Sequence, residues 1–266
     1  MSTRYIGMDS SHPTGLVSVF VQNGEPGYQI EAEAAWDYMT DNLELKELAV
    51  QCSAICFGSL AQRCKVSRRT IRGFLENAPP ETIRLYDVNL RQNTLTGEVG
   101  YSREIVDYSC QMAAVIKANQ SELSMILRLL GIDCPADQTL DGIRRRMELL
   151  LTRFPARAIV VTRGGLGTLV LSRDGEFDLT EPRTAERTTH PVGAGDACSA
   201  GIMFGTTLGW KIHNTMELAN RMGADVAANP SATPTLSNDT LSFARAQLLD
   251  NRTEEISLPA STGVTD

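Results

Sequence analysis

A turn of small residues that runs directly into a helix carries the clearest chemical signal in this sequence. Gly193, Ala194 and Gly195 let the backbone fold tightly, and the predicted helix opens at Asp196 and continues to about Gly209. A helix N-terminus has unpaired N–H groups and partial positive charge, so this turn is a predicted anion site. Asp196 could cap the helix, or it could take a proton from a hydroxyl that attacks a phosphorus atom held there.

Polar or glycine residues also follow the strands predicted at 83–88, 113–116 and 158–161. Alternating strands and helices predict a parallel sheet, and ligands bind at the carboxyl ends of such strands. Asn and Gly are ordinary turn residues and Glu is ordinary in a first helical turn, but their joint occurrence at strand ends favours a binding site. These candidate residues are Asn89, Arg91, Asn119, Glu122, Thr162, Gly164 and Gly167.

The run Gly193-Ala194-Gly195-Asp196 resembles the C-terminal signature of the ribokinase-like (PfkB) carbohydrate kinases, usually Asp-Thr-x-Gly-Ala-Gly-Asp. The resemblance implies that the three small residues form an anion hole and that Asp196 is the general base. His190-Pro191 stands where the family has Asp-Thr, and Ser231 where it often has Gly. Because these neighbourhoods help to hold a monovalent cation in the family, we expect no strong dependence of activity on K⁺.

Further motifs match the family in the same order along the chain. Asp87-x-Asn89-x-Arg91 resembles a segment near the substrate, which implies that Asn89 and Arg91 bind it. Asn119-x-x-Glu122 resembles a motif linked to Mg-bound phosphate, which implies ATP with Mg²⁺ organised through Glu122 and water. Thr162-x-Gly164-x-x-Gly167 resembles a nucleotide loop, and Asn220 resembles a residue beside the adenine.

The resemblance, from Thr14 to about Leu249, implies a three-layer α/β/α sandwich with a mostly parallel sheet and a small β lid. We expect one kinase domain over residues 1–266, with a lid hairpin at about 14–32 and its turn at Asn23-Gly24. The nucleotide-binding half spans about 113–249, and a loose tail spans 251–266. Ala35-Trp36-Asp37 and Phe57-Gly58-Ser59-Leu60 are most similar to fructokinase-type members.

The remaining elements are predicted from periodicity and from capping residues. The charge run Arg144-Arg145-Arg146 is interpreted as a solvated helix face. Ser67 is the predicted N-cap of a helix at 67–76. Further helices are predicted at 102–110, 121–130, 140–154, 214–228 and 238–249, and strands at 16–22, 52–57, 168–172 and 177–179.

Composition excludes several classes of protein. A formal net charge of -7 and a pI of about 5.1 argue against a general nucleic-acid binder. The sequence has no apolar run long enough for a membrane span and no Walker motif, and a dinucleotide oxidoreductase is disfavoured because Cys198 replaces a third glycine. Six cysteines without a CxxC pair predict core thiols in a reducing cytoplasm.

The resemblance therefore implies transfer of the ATP γ-phosphoryl group to a primary hydroxyl of a small sugar, with fructose as the fructokinase-type acceptor. One alternative is a non-catalytic relative that binds a nucleotide or a partner protein. Another is a nucleoside kinase of the same fold. The resemblance also allows a homodimer formed through the lid.

The beginning of the chain departs from the family pattern. Family members open with a strand that bears a sugar-binding Asp and with a Gly-Gly-x-x-x-Asn segment, and nothing before Thr14 resembles either. We therefore expect that the usual N-terminal segment is missing and that Met1 is an internal methionine. Such a chain would keep its ATP-side residues but phosphorylate sugar poorly, since positioning of the acceptor is a large part of phosphoryl transfer.

Overall fold

A computed structural model of the protein describes residues 3–22, 25–92, 97, 99–135, 137–183 and 192–256 of the 266-residue chain. The chain divides into two compact units. Unit 1 comprises residues 1–163 and 169–177, and unit 2 comprises residues 164–168 and 178–266.

The described residues form eight strands. They are β1 (Val17–Gln22), β2 (Glu25–Ile30), β3 (Ala54–Gly58), β4 (Ile83–Asp87), β5 (Val115–Asn119), β6 (Ala158–Thr162), β7 (Thr168–Ser172) and β8 (Phe177–Thr180). The antiparallel pair β1–β2 is the predicted hairpin, whose turn residues 23 and 24 lie outside the described residues. The other strands form a sheet in the order β3-β4-β5-β6-β7-β8. Its pairings from β3 to β6 are parallel, which confirms the predicted mostly parallel α/β sheet.

The described residues also form eight α-helices. They are α1 (Leu43–Ala49), α2 (Lys65–Asn77), α3 (Arg103–Met112), α4 (Gln120–Leu130), α5 (Leu140–Arg153), α6 (Ala194–Thr207), α7 (Ile212–Ala227) and α8 (Asn238–Ile256). Helix α1 was not predicted from the sequence; it is a short helix capped by Asn42, whose side chain accepts the N–H of Leu45 at 2.8 Å. Helix α8 continues past the predicted end at 249. In the described ranges no helix combines the length and hydropathy that a bilayer crossing requires.

The core of unit 1 lies between the sheet and helices α2 to α5. Burial of this apolar surface is the main favourable contribution to folding, and it fixes the strand ends that carry the candidate residues. Its helical members include Leu75, Val106, Ile126 and Met147, and its strand members include Tyr86, Ile116, Ile159 and Leu169.

In unit 1, three predictions are wrong because a tertiary contact overrides a local signal. Helix α2 begins two residues before Ser67, whose hydroxyl instead donates to the carbonyl of Trp36 at 2.7 Å. Strand β5 continues past Ile116, because the ammonium group of Lys117 meets a carboxylate inside the sheet. Arg146 does not belong to a solvated face, since only 2% of the residue is exposed.

Candidate functional site

A buried ion pair joins the end of β4 to the middle of β5 in unit 1. Lys117 Nζ lies 2.9 Å from Asp87 Oδ2, and both residues are buried. The N–H of Val88 donates to the carbonyl of Lys117 at 2.9 Å, so the chain leaving β4 is tied to β5 by backbone and side chain together. The net stability from a buried charge pair is small because desolvation offsets the attraction, but loss of either partner is costly, so the two side chains stay together. This pair therefore holds the start of the segment that carries Asn89 and Arg91.

Glu122 connects the same segment to the N-terminus of α4. Its Oε2 accepts the N–H of Asn119 at 2.8 Å, while Asn119 Oδ1 accepts the N–H of Glu122 at 2.9 Å, which forms a capping box. Its Oε1 accepts the N–H of Leu90 at 3.0 Å. Burial raises the pKa of the Glu122 carboxyl; the N–H of Asn119 opposes this, and the charge of Asp87 adds to it. The sequence-predicted residues Asn119 and Glu122 thus form one hydrogen-bonded unit.

The carboxylate of Glu122 suits a magnesium ion that is bound together with a nucleotide better than an ion held by protein groups alone. Each oxygen of Glu122 accepts one N–H and keeps a further lone pair, which a metal-bound water could use. Within the described residues no group of three or more His, Cys, Asp or Glu side chains could hold a metal ion. Mg²⁺ commonly keeps several waters and uses one or two carboxylates together with substrate phosphates.

Arg91 lines a cavity of about 430 Å³ in unit 1, and Asn89 is two residues before it in the chain. Asn89 has a φ of 37°, a left-handed conformation that Asn tolerates better than most residues. Glu33, which also lines the cavity, has a φ of 55°. Non-glycine residues in this region persist where the surrounding structure determines them, often at ligand sites. We call this space the acceptor cavity.

Asp37 and Arg63 line the acceptor cavity but were not among the predicted site residues. The guanidinium of Arg63 donates from Nε and Nη2 to the two carboxylate oxygens of Asp37, each at 2.7 Å. Such a two-pronged pair fixes both side chains more firmly than a single contact. The Ala35-Trp36-Asp37 motif includes Asp37. Its partner Arg63 is 26 residues further along the chain, so the motif did not indicate the pair.

Thr162, Gly164 and Gly167 follow β6 as predicted. Thr162 ends the strand in unit 1 and is paired in register with Asn119, so these two predicted residues are neighbours at the sheet edge. Gly164 and Gly167 belong to unit 2 and have φ values of 56° and 80°. A Cβ at Gly167 would lie 2.2 Å from the carbonyl oxygen of Thr180, so this position excludes every other residue unless the backbone moves.

We expect Gly167→Ala to destabilise the protein more than Gly164→Ala. Both substitutions place a side chain at positive φ, which costs roughly 1–3 kcal/mol. Only Gly167→Ala adds a backbone clash, because a Cβ at Gly164 meets no atom within 4 Å among the described residues. Urea unfolding of the two variants measures the difference. Equal losses would show that the contact with Thr180 does not constrain the loop.

The side-chain amide of Asn220 links two segments of unit 2 by hydrogen bonds. Its Oδ1 accepts the hydroxyl of Thr168 at 2.6 Å, and its Nδ2 donates to the carbonyl of Glu181 at 2.9 Å. These contacts place Asn220 between the strand that follows Gly167 and the end of β8. Its position beside an adenine stays a prediction. In the structure the side chain instead bonds to Thr168 and Glu181, on either side of the loop.

Helix α6 begins at Ala194, two residues earlier than predicted, with Gly193 as its N-cap at a φ of 88°. A Cβ at Gly193 would lie 2.9 Å from the carbonyl oxygen of Ala232, so only glycine permits this close approach. Among the described residues no side chain caps this end of the helix. The N–H groups of its first turn, which include Ala194, Gly195 and Asp196, have no intrahelical acceptor and point toward any anion placed there.

Asp196 is in the first turn of α6 and is exposed. Because Gly193 is the N-cap, the capping role considered for Asp196 is wrong. A carboxylate on the first turn of a helix that has no side-chain cap is positioned to accept a proton from a group bound at that terminus. His190 and Pro191, which carry the prediction about K⁺, lie outside the described residues.

The predicted residues thus fall into two groups, each organised within its own unit. Unit 1 contains Asn89, Arg91, Asn119, Glu122 and Thr162 at the ends of β4, β5 and β6. Unit 2 contains Gly164 and Gly167, which we call the glycine loop, together with Asn220 and the N-terminus of α6.

A parallel sheet with polar groups at its strand ends, combined with a later glycine-capped helix, is the ribokinase-like α/β fold. Residues 2–239 match the sequence profile described as pfkB family carbohydrate kinase, and the chain belongs to this family. A Pyrococcus horikoshii protein described as an uncharacterized sugar kinase is 22% identical over 205 residues, which cover 77% of this chain and 59% of that protein. The match thus spans less than two thirds of this curated relative.

Solved structures support the same fold. Fructokinase with bound ATP from Xylella fastidiosa has a TM-score of 0.70 at 17% identity, covering 90% of this chain and 76% of that one. The nucleoside kinase of Burkholderia thailandensis in complex with inosine has a TM-score of 0.65 at 18% identity, covering 97% of this chain and 73% of that one. At these identities the likeness establishes the fold.

Proposed function

We propose that this protein is a kinase that transfers the γ-phosphoryl group of ATP to a primary hydroxyl of a small sugar. The observation that carries the proposal is the N-terminus of α6, where N–H groups without an intrahelical acceptor and the exposed carboxylate of Asp196 occur in one turn. The N–H groups would stabilise charge on the phosphoryl group, and Asp196 would accept the hydroxyl proton. Family membership supports the reaction class.

The nucleotide side of the proposal uses the glycine loop, Asn119, Glu122, Thr162 and Asn220. ATP-bound relatives, including the Xylella fructokinase, support this choice of phosphoryl donor. Glu122 would hold Mg²⁺ through water, and the ion would offset phosphate charge. Because Glu122 also accepts the N–H of Leu90, it would position the segment leading to Arg91 at the same time.

The acceptor side of the proposal uses the acceptor cavity. Its volume of about 430 Å³ falls in the range of small-molecule pockets, and Asp37, Arg63 and Arg91 supply polar groups suited to hydroxyls. The motifs of the fructokinase type make fructose the first acceptor to test. The Burkholderia nucleoside kinase supports a nucleoside as the second candidate.

Three further parts of the proposal concern the compartment, the assembly and the monovalent cation. Within the described part of the chain no disulfide joins the six cysteines, which suits a reducing cytoplasm. A homodimer would form through the β1–β2 hairpin. This chain has His190-Pro191 where the family has Asp-Thr, which favours activity without a strong requirement for K⁺.

Release of ADP over a panel of acceptors tests the function. The panel contains fructose, ribose, adenosine and inosine, each with a matched analogue that lacks the primary hydroxyl. We expect ADP release with an intact acceptor and none above background with its deoxy analogue. ADP release that is indifferent to the acceptor would contradict the proposal and indicate a simple ATPase.

We expect Arg91→Ala to raise the KM for the acceptor by about 10- to 100-fold, the equivalent of one hydrogen bond to a charged group. Affinity for ATP should change by less than about twofold, since Arg91 lines the acceptor cavity. Arg144→Ala, which removes an exposed arginine of α5, is the matched control and should change neither constant. An equal loss of ATP affinity in Arg91→Ala would contradict this assignment.

A further inference from the structure

Arg146 is a charged side chain buried in the interior of unit 1. Only 2% of the residue is exposed, whereas Arg144 and Arg145 beside it on α5 are exposed. Its Nε donates to the carbonyl of Gly142 at 3.2 Å, its Nη1 donates to Ser124 Oγ at 2.6 Å, and its Nη2 donates to the carbonyl of Asp137. A guanidinium has five N–H donors, so these contacts leave two for another acceptor.

All three acceptors of Arg146 are neutral oxygens. The carboxylate of Asp137 is turned toward the backbone, where its Oδ1 accepts the N–H of Thr139 at 2.9 Å. That hydrogen bond is the main cause of the lowered pKa of Asp137, and the charge of Arg146 is a lesser one. Because a buried charge is costly without a counter-charge, the environment of Arg146 favours an additional anion.

A cavity of about 310 Å³ adjoins this guanidinium. We call it the α4–α5 cavity; Arg146, Arg128, Ser124 and Cys134 all line it. Arg128 is in the last turn of α4 and is exposed, so a second guanidinium is available on the solvent side of the cavity. Asp133 also lines the cavity; it and Arg128 are both exposed and have opposite charges, so the buried Arg146 gives the lining its net positive charge.

We propose that the α4–α5 cavity binds a phosphate group, either as inorganic phosphate or as the phosphate of a small monoester. Arginine forks and a hydroxyl are the groups that recognise phosphate in proteins, and the volume accommodates the anion with a short organic chain. Asn119 and Glu122 are at the N-terminus of α4, and Glu122 and Ser124 are two residues apart, a spacing at which side chains on a helix do not face each other. The cavity is therefore a separate site from the proposed nucleotide residues.

Alkylation of Cys134 by iodoacetamide, followed by peptide mass spectrometry, tests the proposal on the 266-residue protein. Cys134 lines the cavity and reports on it directly, whereas phosphate bound at α6 would leave its rate unchanged. The exposed thiol of Cys56 is the internal control. Inorganic phosphate and glycerol 3-phosphate are titrated separately at constant ionic strength, so the two arms distinguish the free anion from the ester.

At tenfold excess over Kd, occupancy should slow Cys134 alkylation by roughly tenfold and leave Cys56 unchanged. Arg128→Ala should abolish most of this protection without unfolding the protein, because Arg128 is exposed. Arg145→Ala removes an equal charge from an exposed position outside the cavity and should retain the protection of Cys134. The proposal is overturned if neither anion protects Cys134 saturably, if protection survives Arg128→Ala, or if Arg145→Ala weakens it equally.

Discussion

Asp196→Asn should lower kcat for phosphoryl transfer by roughly 10²–10⁴-fold, the usual contribution of a general base. The amide keeps the size and a hydrogen-bonding oxygen but cannot accept the proton of the acceptor hydroxyl. Because Gly193 is the N-cap, the substitution removes no helix cap, and the free energy of unfolding should change little. Steady-state kinetics, with urea unfolding in parallel, measure both quantities.

Asp174→Asn is the matched control for this variant. Asp174 is exposed in the turn after β7, so the same change of charge and shape should leave kcat unaltered. ATP affinity should persist in Asp196→Asn, since the N–H groups of the helix turn remain. Turnover within about twofold of the wild-type value would show that Asp196 is not the base, because the expected contribution is far larger.

Lys117→Met should lower the free energy of unfolding by about 3–5 kcal/mol. The variant keeps an apolar chain of similar length but removes the ammonium that lies 2.9 Å from the buried Asp87 carboxylate. The large cost comes from desolvating a carboxylate that has lost its counter-charge. The double variant Lys117→Met/Asp87→Asn should recover part of the loss, because it removes the charge of both partners.

Lys46→Met provides the comparison on the surface. Lys46 lies 3.0 Å from Asp41, but their side chains are 52% and 44% exposed, so the loss should be below about 1 kcal/mol. Urea unfolding followed by circular dichroism gives all three values. Similar losses for Lys46→Met and Lys117→Met would contradict the structural role assigned to the buried pair.

Local motifs were sufficient to predict most strand ends and the glycine that precedes α6. The Asn119-x-x-Glu122 spacing is also a capping-box pattern, and the structure contains that box. The boundary of α6 was misplaced because a positive φ at Gly193 allows the helix to begin before Asp196. Such a boundary depends on the nearby backbone of Ala232, which sequence spacing does not reveal.

Contacts between distant parts of the chain could not be predicted in the same way. Asp37 meets Arg63 across 26 residues, so neither residue alone indicated a paired fork. Arg146 was assigned to a polar helix face because two exposed arginines precede it. Its burial follows from the packing of α5 against α4, where Ser124 supplies one of its acceptors.

Mass spectrometry of the product formed from ATP and an acceptor labelled with ¹⁸O at its primary hydroxyl tests the proposed reaction most directly. If Asp196 activates that hydroxyl, the acceptor oxygen attacks phosphorus and the label stays between carbon and phosphorus in the phosphorylated product. The wild-type protein should form this labelled ester, and Asp196→Asn should form it at a rate lower by roughly 10²–10⁴-fold. ATP binding without any phosphorylated acceptor would contradict the account and favour a nucleotide-binding relative that does not catalyse transfer.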